Sequence, residues 1–444
     1  MSFSSESLLR KLRMLANLAG APTRLVIGYS GGLDSTVLLH ALAATRDEFG
    51  TVLSAIHVDH GLHEDSANWA QHCATFAKTL GVEFTSLAVD VETNAGQGTE
   101  AAARRARYDA LRTSIHSGDW LLSAHHRDDQ AETLLLNLLR GSGPAGLAGI
   151  GEVQPFAEGW LVRPLLSCSR RELQDYANEQ GLAWIDDPSN EDRQFDRNYL
   201  RHEVMPRLEQ RWPEASSRLQ QSALLAGEAA TMLDQLADTD LQAVSDRPER
   251  LSATGLRTLS SERQRNLLRY VVRELGLPAP PSGQLWSVVD DLVPARDDAQ
   301  PLVEWPGVEV RRYRDCVYIL AAAPEAATVE PVTMSRDGIE LGAGMGELQL
   351  RPGADIGLSD AVIDRGLEIR YRQGGEEIKP LNQRHTKKLK KLLQEEGVVP
   401  WMRERLPLVY SGDELVAVGD LWLAADAVSK PGTAVTWRNR PPIH

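Results

Sequence analysis

The sequence predicts an α/β protein: a parallel sheet with helices on both faces at the N-terminal end, then a mostly helical middle and an α+β C-terminal part. Three observations carry this. Up to Trp212, short apolar and β-branched runs alternate with segments of helical period, the pattern of strand–helix–strand units. A small-residue turn, Ser30-Gly-Gly-Leu-Asp-Ser35, joins an apolar run to a helical segment. After Trp212-Pro213 the alternation stops, and the chain becomes rich in Leu, Ala, Gln and Arg.

The elements follow in order. Leu8, Leu9, Leu12, Leu15 and Leu18 recur at helical spacing, so Ser7–Leu18 is a helix. Leu25–Tyr29 is a buried strand, and Thr36–Ala43 has the composition of a buried helix. Thr51–Val58, Phe84–Val91, Trp120–Ala124 and Leu161–Leu166 are further strands. Between and after them lie helices at Ser66–Leu80 (stopped by Gly81), Thr99–Ile115, Asp128–Arg140 and Ser169–Gln180. Glu214 to Leu275 is mostly helical, and Pro278-Ala-Pro-Pro-Ser-Gly283 breaks it. Val308–Leu320 is a hairpin turning at Arg314-Asp315, and Ala321–Ala327 is a linker. From Glu330 short strands and turns surround one basic helix. The expected domains are 1–213, 214–322 and 328–444.

Composition narrows the function. The 444 residues are 42% hydrophobic and 25% charged, an ordinary globular balance. A net charge of −14 and a pI near 5.3 argue against a uniformly basic nucleic-acid binder but leave room for a local basic patch. Cys73, Cys168 and Cys316 are far apart and form no C-x-x-C, so neither a disulfide framework nor a cysteine-ligated metal is indicated. A reducing, cytoplasmic setting is expected. The N-terminal residues lack an apolar signal core, and no run of about 18 apolar residues suggests a membrane helix.

The Ser30–Ser35 turn has the layout that aims backbone N–H groups and a helix dipole at an anion. Gly31 and Gly32 allow close approach, Ser30 and Ser35 add hydroxyls, and Asp34 beside a phosphate needs a cation such as Mg²⁺. The lysine of a Walker A loop is absent. A second cluster, His125-His-Arg-Asp-Asp-Gln-Ala-Glu-Thr133, follows the fourth strand. Asp128 and Glu132 share a helix face, as do Asp129 and Thr133. Acids at a helix start satisfy its dipole, but two histidines with three acids at a strand end indicate an active site. Asp59 and His60, in His57–His63, fit either a polar turn or the same site. Arg104, Arg105 and Arg107 read as a solvated basic face; Arg104 and Arg107 are spaced to share one phosphate. Arg140–Gly146 is a glycine-rich loop. Trp184–Asn190 and Arg197–Arg201 suit capped turns or a base- and phosphate-contacting surface. Arg384–Lys391 holds five Lys/Arg and no acid, preceded by Arg370-Tyr-Arg372, a local footprint for RNA backbone.

S-G-G-L-D-S after a strand resembles the PP-loop of the ATP pyrophosphatases, which cleave ATP between its α and β phosphates and adenylate a substrate oxygen. With it stand D-H-G-L, E-A-x-A-R-x-x-R-Y, H-H-x-D-D-Q-A-E-T, L-R-G-S-G-x-x-G-L, R-P-L-L, W-x-x-D-x-S-N and R-N-x-x-R, and later Arg384–Leu393 and Val399–Pro407. Jointly these resemble the tRNA(Ile)-lysidine synthase family over most of the chain, the helical middle being least distinctive.

That resemblance implies an adenine nucleotide hydrolase-like catalytic domain and ATP-dependent ligation of L-lysine to C2 of the wobble cytidine of tRNA(Ile) with a CAU anticodon. The path runs through an adenylated cytidine and releases pyrophosphate and AMP; reading changes from AUG to AUA, and charging from Met to Ile. Ser30, Gly31, Gly32, Leu33, Asp34, Ser35 and Arg104 would hold ATP. Asp34, with Asp128 or Asp129, would bind Mg²⁺. Asp34, Asp128, Asp129 and Glu132 would be catalytic, with Glu132 or Asp129 accepting a proton. His125, His126, Arg107, Arg201, Arg384, Lys387, Lys388 and Lys391 would meet the RNA. A homodimer is left open. The rivals are a PP-loop tRNA thiolase, which needs catalytic cysteines or a cluster, a small-metabolite synthetase, which has no use for the basic segment, and a non-catalytic RNA adaptor.

Overall fold

Strand β1 (Arg24–Gly28) buries Leu25 and Ile27 in one core and Val26 in another, as the two-residue period of a strand requires of a chain covered on both faces. The computed structural model describes residues 2–443 apart from 62, 64, 91–98, 246, 297–298, 323–330, 343 and 382. Helix α1 (Ser5–Ala19) precedes β1. After it come α2 (Leu33–Phe49), β2 (Val52–Asp59), α3 (Ser66–Thr79), β3 (Glu83–Ala88), α4 (Thr99–Arg112), β4 (Asp119–Leu122), α5 (Arg127–Leu139) and α6 (Pro144–Leu147). Next are β5 (Val153–Phe156), β6 (Gly159–Val162), α7 (Arg170–Glu179), α8 (Asp196–Tyr199), α9 (Met205–Arg211) and α10 (Ala215–Val244).

The sheet order is β3-β2-β1-β4-β6-β5. The pairs β1/β2, β2/β3, β1/β4 and β4/β6 are parallel. One face packs Leu25, Ile27, Tyr29, Trp120 and Leu122 against Leu8, Leu12 and Leu15 of α1, Val37 and Leu38 of α2, Cys73 and Ala77 of α3, and Leu173 of α7. The other packs Val26, Ile56, Leu121 and Leu161 on Leu111 of α4. The chain winds outward from β1 to β3, then returns to place β4 on the other side of β1. The connections leaving β1 and β4 therefore diverge, which opens a crevice at the C-terminal strand ends.

Two expectations about this sheet change. It is not wholly parallel, because β5 pairs antiparallel with β6 through a turn at Ala157 (φ 51°). Val153-Gln-Pro-Phe156 has neither an apolar run nor alternation, so it carries no strand signal. The expected strand at Leu161–Leu166 is displaced: β6 begins at Gly159 and stops before Arg163-Pro164, since proline has no N–H for the ladder.

The contacts divide the chain into Met1–Met232 and Leu233–His444, inside α10, whereas the sequence suggests a first boundary at 213/214. The linker expected at 321–327 falls mostly outside the described residues, and we keep the three-part scheme as a proposal. The second unit begins with the rest of α10, β7 (Arg250–Ser252), α11 (Ala253–Arg257), α12 (Ser261–Glu274), α13 (Ser282–Ser287), β8 (Leu302–Trp305), β9 (Val308–Tyr313) and β10 (Cys316–Ala321). The expected hairpin is β9/β10, with Arg314 at φ 54°. The expected helical stretch is interrupted by β7, which pairs with β10. Beyond it, two five-stranded sheets enclose a core that includes Leu348, Ile369, Leu389 and Val409. The basic helix spans Leu389–Glu396, so it takes in only the end of the Arg384–Lys391 run; Lys387-Lys388 instead pair with Glu377-Ile378, setting Lys388 opposite Glu377.

At the sheet's N-terminal edge, away from the crevice, Asp119 is buried and accepts from Arg24 Nη2 (2.6 Å), Thr23 Oγ1 (3.0 Å) and the His116 N–H (3.0 Å). Burial opposes ionisation, but the Arg24, His116 and Thr23 hydrogen bonds outweigh it and hold the carboxyl below its usual range. Its stabilisation is therefore present above about pH 4 and lost as pH falls through the lower folded value. Asp119→Ala is expected to cost roughly 2–4 kcal/mol in denaturant unfolding and to leave ATP affinity unchanged. An unchanged unfolding midpoint would contradict this.

Candidate active site

The Ser30–Ser35 turn leaves β1 and opens α2. Gly32 is the N-cap of α2 and no side chain caps it, so the first-turn N–H groups and the positive dipole end are left for an anion. The turn is held from within. Ser30 Oγ lies 3.1 Å from Ser35 Oγ, and Ser35 Oγ also donates to Gly32 O (3.1 Å). Thr36 Oγ1 donates to Gly31 O (3.2 Å). The Ile185 N–H donates to the same carbonyl (2.9 Å), so Ile185 braces the loop. Gly31 sits at φ 84°, and a Cβ there would lie 2.7 Å from Ile185 Cδ1 and 2.8 Å from Cys73 Sγ.

The second cluster opens α5 beyond β4. His126 is the N-cap, and its backbone N–H donates to Asp129 Oδ2 (3.0 Å). Its buried ring joins the two clusters: Nε2 lies 3.4 Å from Asp129 Oδ2 and 3.6 Å from Asp34 Oδ2. Burial alone would lower the His126 pKa, but Asp129, Asp34 and Asp128 raise it to about 9, so at neutral pH the ring is a cation between carboxylates. Burial would raise Asp129, yet His126, His125 and Arg197 bring it down to about 2. His125, whose Nδ1 is hydrogen bonded to Ser123 Oγ, is pushed down to about 4, chiefly by burial, and is neutral.

Glu132 is 1% exposed and doubly engaged. Arg201 Nε and Nη2 donate to its two oxygens (2.7 and 3.0 Å), and Arg197 Nε donates at 3.1 Å. Arg201 Nη2 also reaches Asp129 Oδ1 (3.1 Å). Both arginines of R-N-x-x-R thus turn inward onto α5. Asp128 lies with its Oδ2 3.7 Å from His126 Nδ1 and is engaged on both oxygens. Ser216 Oγ donates to its Oδ1, and the Arg170 N–H donates to Oδ2 (2.7 Å), so it fastens the starts of α5, α7 and α10 together. Asp34 differs: its Oδ1 is buried with no hydrogen-bond partner.

The remaining expected residues lie on other elements of the first unit or in the second unit. The Arg107 Nε–H donates to His60 Nε2 (3.3 Å), and burial and Arg107 push the His60 pKa down. The Arg104 guanidinium lies 5.2 Å from the Tyr108 ring centre. Asp59 accepts from the Gly61 N–H (2.9 Å), the polar-turn alternative. Arg384, Lys387, Lys388 and Lys391 lie in the C-terminal part; Lys387 and Lys391 approach Glu395 (3.0 and 3.9 Å).

A relative from Alkalilimnicola ehrlichii, a tRNA(Ile)-lysidine synthase, is 42% identical over 97% of this chain and 96% of its own. The chain belongs to the tRNA(Ile)-lysidine synthase family. Members from Xanthomonas campestris (40% identical, 96% and 98% covered) and Coxiella burnetii (38%, 94% and 92%) are likewise similar along nearly their whole length. Family models match a PP-loop domain at residues 5–208, a TilS substrate binding domain at 251–318 and a TilS substrate C-terminal domain at 367–438. The first fits the sheet and its loop. The second falls on the helical middle, where sequence motifs are weakest.

Sequence reasoning underused Arg197, Ile185 and Ser216. Arg197 and Ile185 lie in quoted motifs whose direction of contact cannot be read from spacing; Ser216, in a plain Ala-Ser-Ser-Arg stretch, gives no signal. Cys73, the thiol against Gly31, has its pKa pushed up to about 12 by burial and is no thiolate, which weighs against thiolase chemistry at this loop. Gly31→Ala would force a left-handed residue against Ile185 and Cys73. It is expected to raise the KM for ATP at least about tenfold and to cost about 1–2 kcal/mol of stability; an unchanged KM would contradict the close-approach role.

Proposed function

We propose that the protein ligates L-lysine to C2 of the wobble cytidine of a tRNA(Ile) bearing a CAU anticodon, consuming ATP. The observation that carries this reading is the uncapped start of α2 facing a buried group of carboxylates and cations, the arrangement adenylation needs. The loop N–H groups and hydroxyls of 30–35 receive ATP phosphates. Cytosine O2 attacks the α-phosphorus and pyrophosphate leaves. The lysine ε-amine then attacks C2, AMP leaves with the C2–O bond electrons, and the proton shed by the nitrogen passes to water. A base treated in this way has to leave its stack.

Mg²⁺ fits this site through Asp34, whose buried Oδ1 lacks a partner. Asp128 already accepts a hydrogen bond on each oxygen, which favours Asp34 as the ligand. Among the described residues no group of three or more His, Cys, Asp or Glu is placed to hold a metal by itself. Mg²⁺ at a nucleotide is held by one or two carboxylates plus phosphate and water. When bound, the ion would offset phosphate charge.

Two carboxylates take roles other than proton removal. Glu132 is committed to Arg197 and Arg201, and Asp129, held at about 2, is a poor base at neutral pH. We assign Glu132 to positioning the arginines and Asp129 to holding positive charge, the incoming lysine ammonium included. For the RNA backbone, Arg384, Lys388 and Lys390 have no ion pair among the described residues, which supports phosphate contact there. Among the described residues no helix is long and apolar enough to cross a membrane.

The test is steady-state pyrophosphate release. Turnover is expected to need ATP, lysine and the CAU-anticodon tRNA(Ile) together. Asp34→Ala is expected to lose at least about 10²-fold in kcat while binding tRNA with near-normal affinity. Pyrophosphate release indifferent to tRNA would sink the reading.

A further inference from the structure

Helix α12 carries four arginines, and two of them are anchored to α10 by ion pairs. Arg263 Nε donates to Asp240 (3.1 Å) and Arg273 Nη2 to Asp234 (2.9 Å), both carboxylates lying on α10. Arg265 and Arg269, one turn apart, have no such anchor. Among the described residues the one carboxylate paired with Arg265 is Glu262, at 3.4 Å and 77% exposed, and Arg269 has no ion pair. Two like charges on neighbouring turns repel unless an anion lies between them. Burial and the Arg265 charge both lower the Arg269 pKa.

The surroundings are unusual for a solvated charge. The Arg265 side chain is only 12% exposed, and its Nη1 is buried with no hydrogen-bond partner. Its guanidinium lies 4.0 Å from the ring centre of Trp286 on α13. Trp286 is nevertheless 51% exposed, although indoles are normally well covered. A cation behind an open indole strengthens a stacking platform, and a second cation beside it suits a phosphate.

We propose that Arg265, Arg269 and Trp286 form a binding site for an unpaired nucleotide of the RNA substrate, its base stacked on Trp286 and its phosphate held by the arginine pair. This rests on the tRNA-ligase reading but adds a site on the helical middle, separate from the Arg384–Lys391 segment. Charge complementarity selects the occupant: in a chain of net charge −14, an unbalanced arginine pair beside an open aromatic matches a polyanion with flat bases.

The experiment measures binding of the CAU-anticodon tRNA(Ile) transcript across a salt series, with pyrophosphate release in parallel. Trp286→Ala is expected to weaken binding roughly five- to a hundredfold. Arg269→Gln should weaken it several-fold and reduce the salt slope by about one phosphate contact, while Arg269→Lys keeps the slope. For each variant the KM for tRNA should rise, with kcat at saturating tRNA and the KM for ATP unchanged. Both side chains are exposed, and rescue of the slope by lysine separates charge from folding. If the wild-type protein binds and turns over this tRNA but Trp286→Ala and Arg269→Gln match it, the site is refuted. If the wild-type protein itself neither binds nor uses the tRNA, the ligase reading fails instead.

Discussion

One electrostatic constraint organises the catalytic unit. The uncapped start of α2 calls for negative charge, while Asp34, Asp129 and Glu132 bring negative charge to its surroundings. Left alone, these carboxylates would repel an incoming triphosphate. The protein answers with fixed cations: His126 between Asp34 and Asp129, Arg201 across Asp129 and Glu132, and Arg197 on Glu132. Only one carboxylate oxygen in this group, Oδ1 of Asp34, is buried and left without a partner. The site is neutralised in advance except at that oxygen, where we propose that phosphate and its counterion enter, the preorganisation that charge-separating chemistry needs.

Packing makes that constraint structural. The His125–Glu132 segment can meet the Ser30–Ser35 loop because β4 sits directly beside β1. Asp128 then ties the start of α5 to α7 and α10, and Ile185 braces the loop from outside. The groups that touch chemistry are few, and the groups that hold them come from segments distant in sequence.

That division explains what the sequence could reveal. The central strands of the first unit, β1, β2 and β4, were legible because burial on both faces writes apolar runs, and α1 because its leucines recur at helical spacing. The loop and the histidine–aspartate cluster were legible because their residue types are costly anywhere else. The direction of each side chain was not. Asp128 and Asp129 are neighbours that both lie near the His126 ring, yet Asp128 also joins the starts of α7 and α10 while Asp129 meets Arg201; a single step along a helix turns the side chain by about 100°. Glu132 looked like a free base because its partners, Arg197 and Arg201, lie more than sixty residues away. Strand β5 escaped notice because Pro155 and Gln154 break its pattern, and the Lys387-Lys388 strand because a lysine run otherwise favours helix.

The central claim is that Asp34, and not Asp128, meets the counterion of ATP at the start of α2. The most direct measurement is a crystal structure with ATP and Mg²⁺ bound. The account predicts phosphate oxygens on the Ser30–Ser35 loop, the ion on Asp34, and Asp128 still hydrogen bonded to Ser216 and the Arg170 N–H. An ion ligated by Asp128, with those two bonds broken, would contradict it.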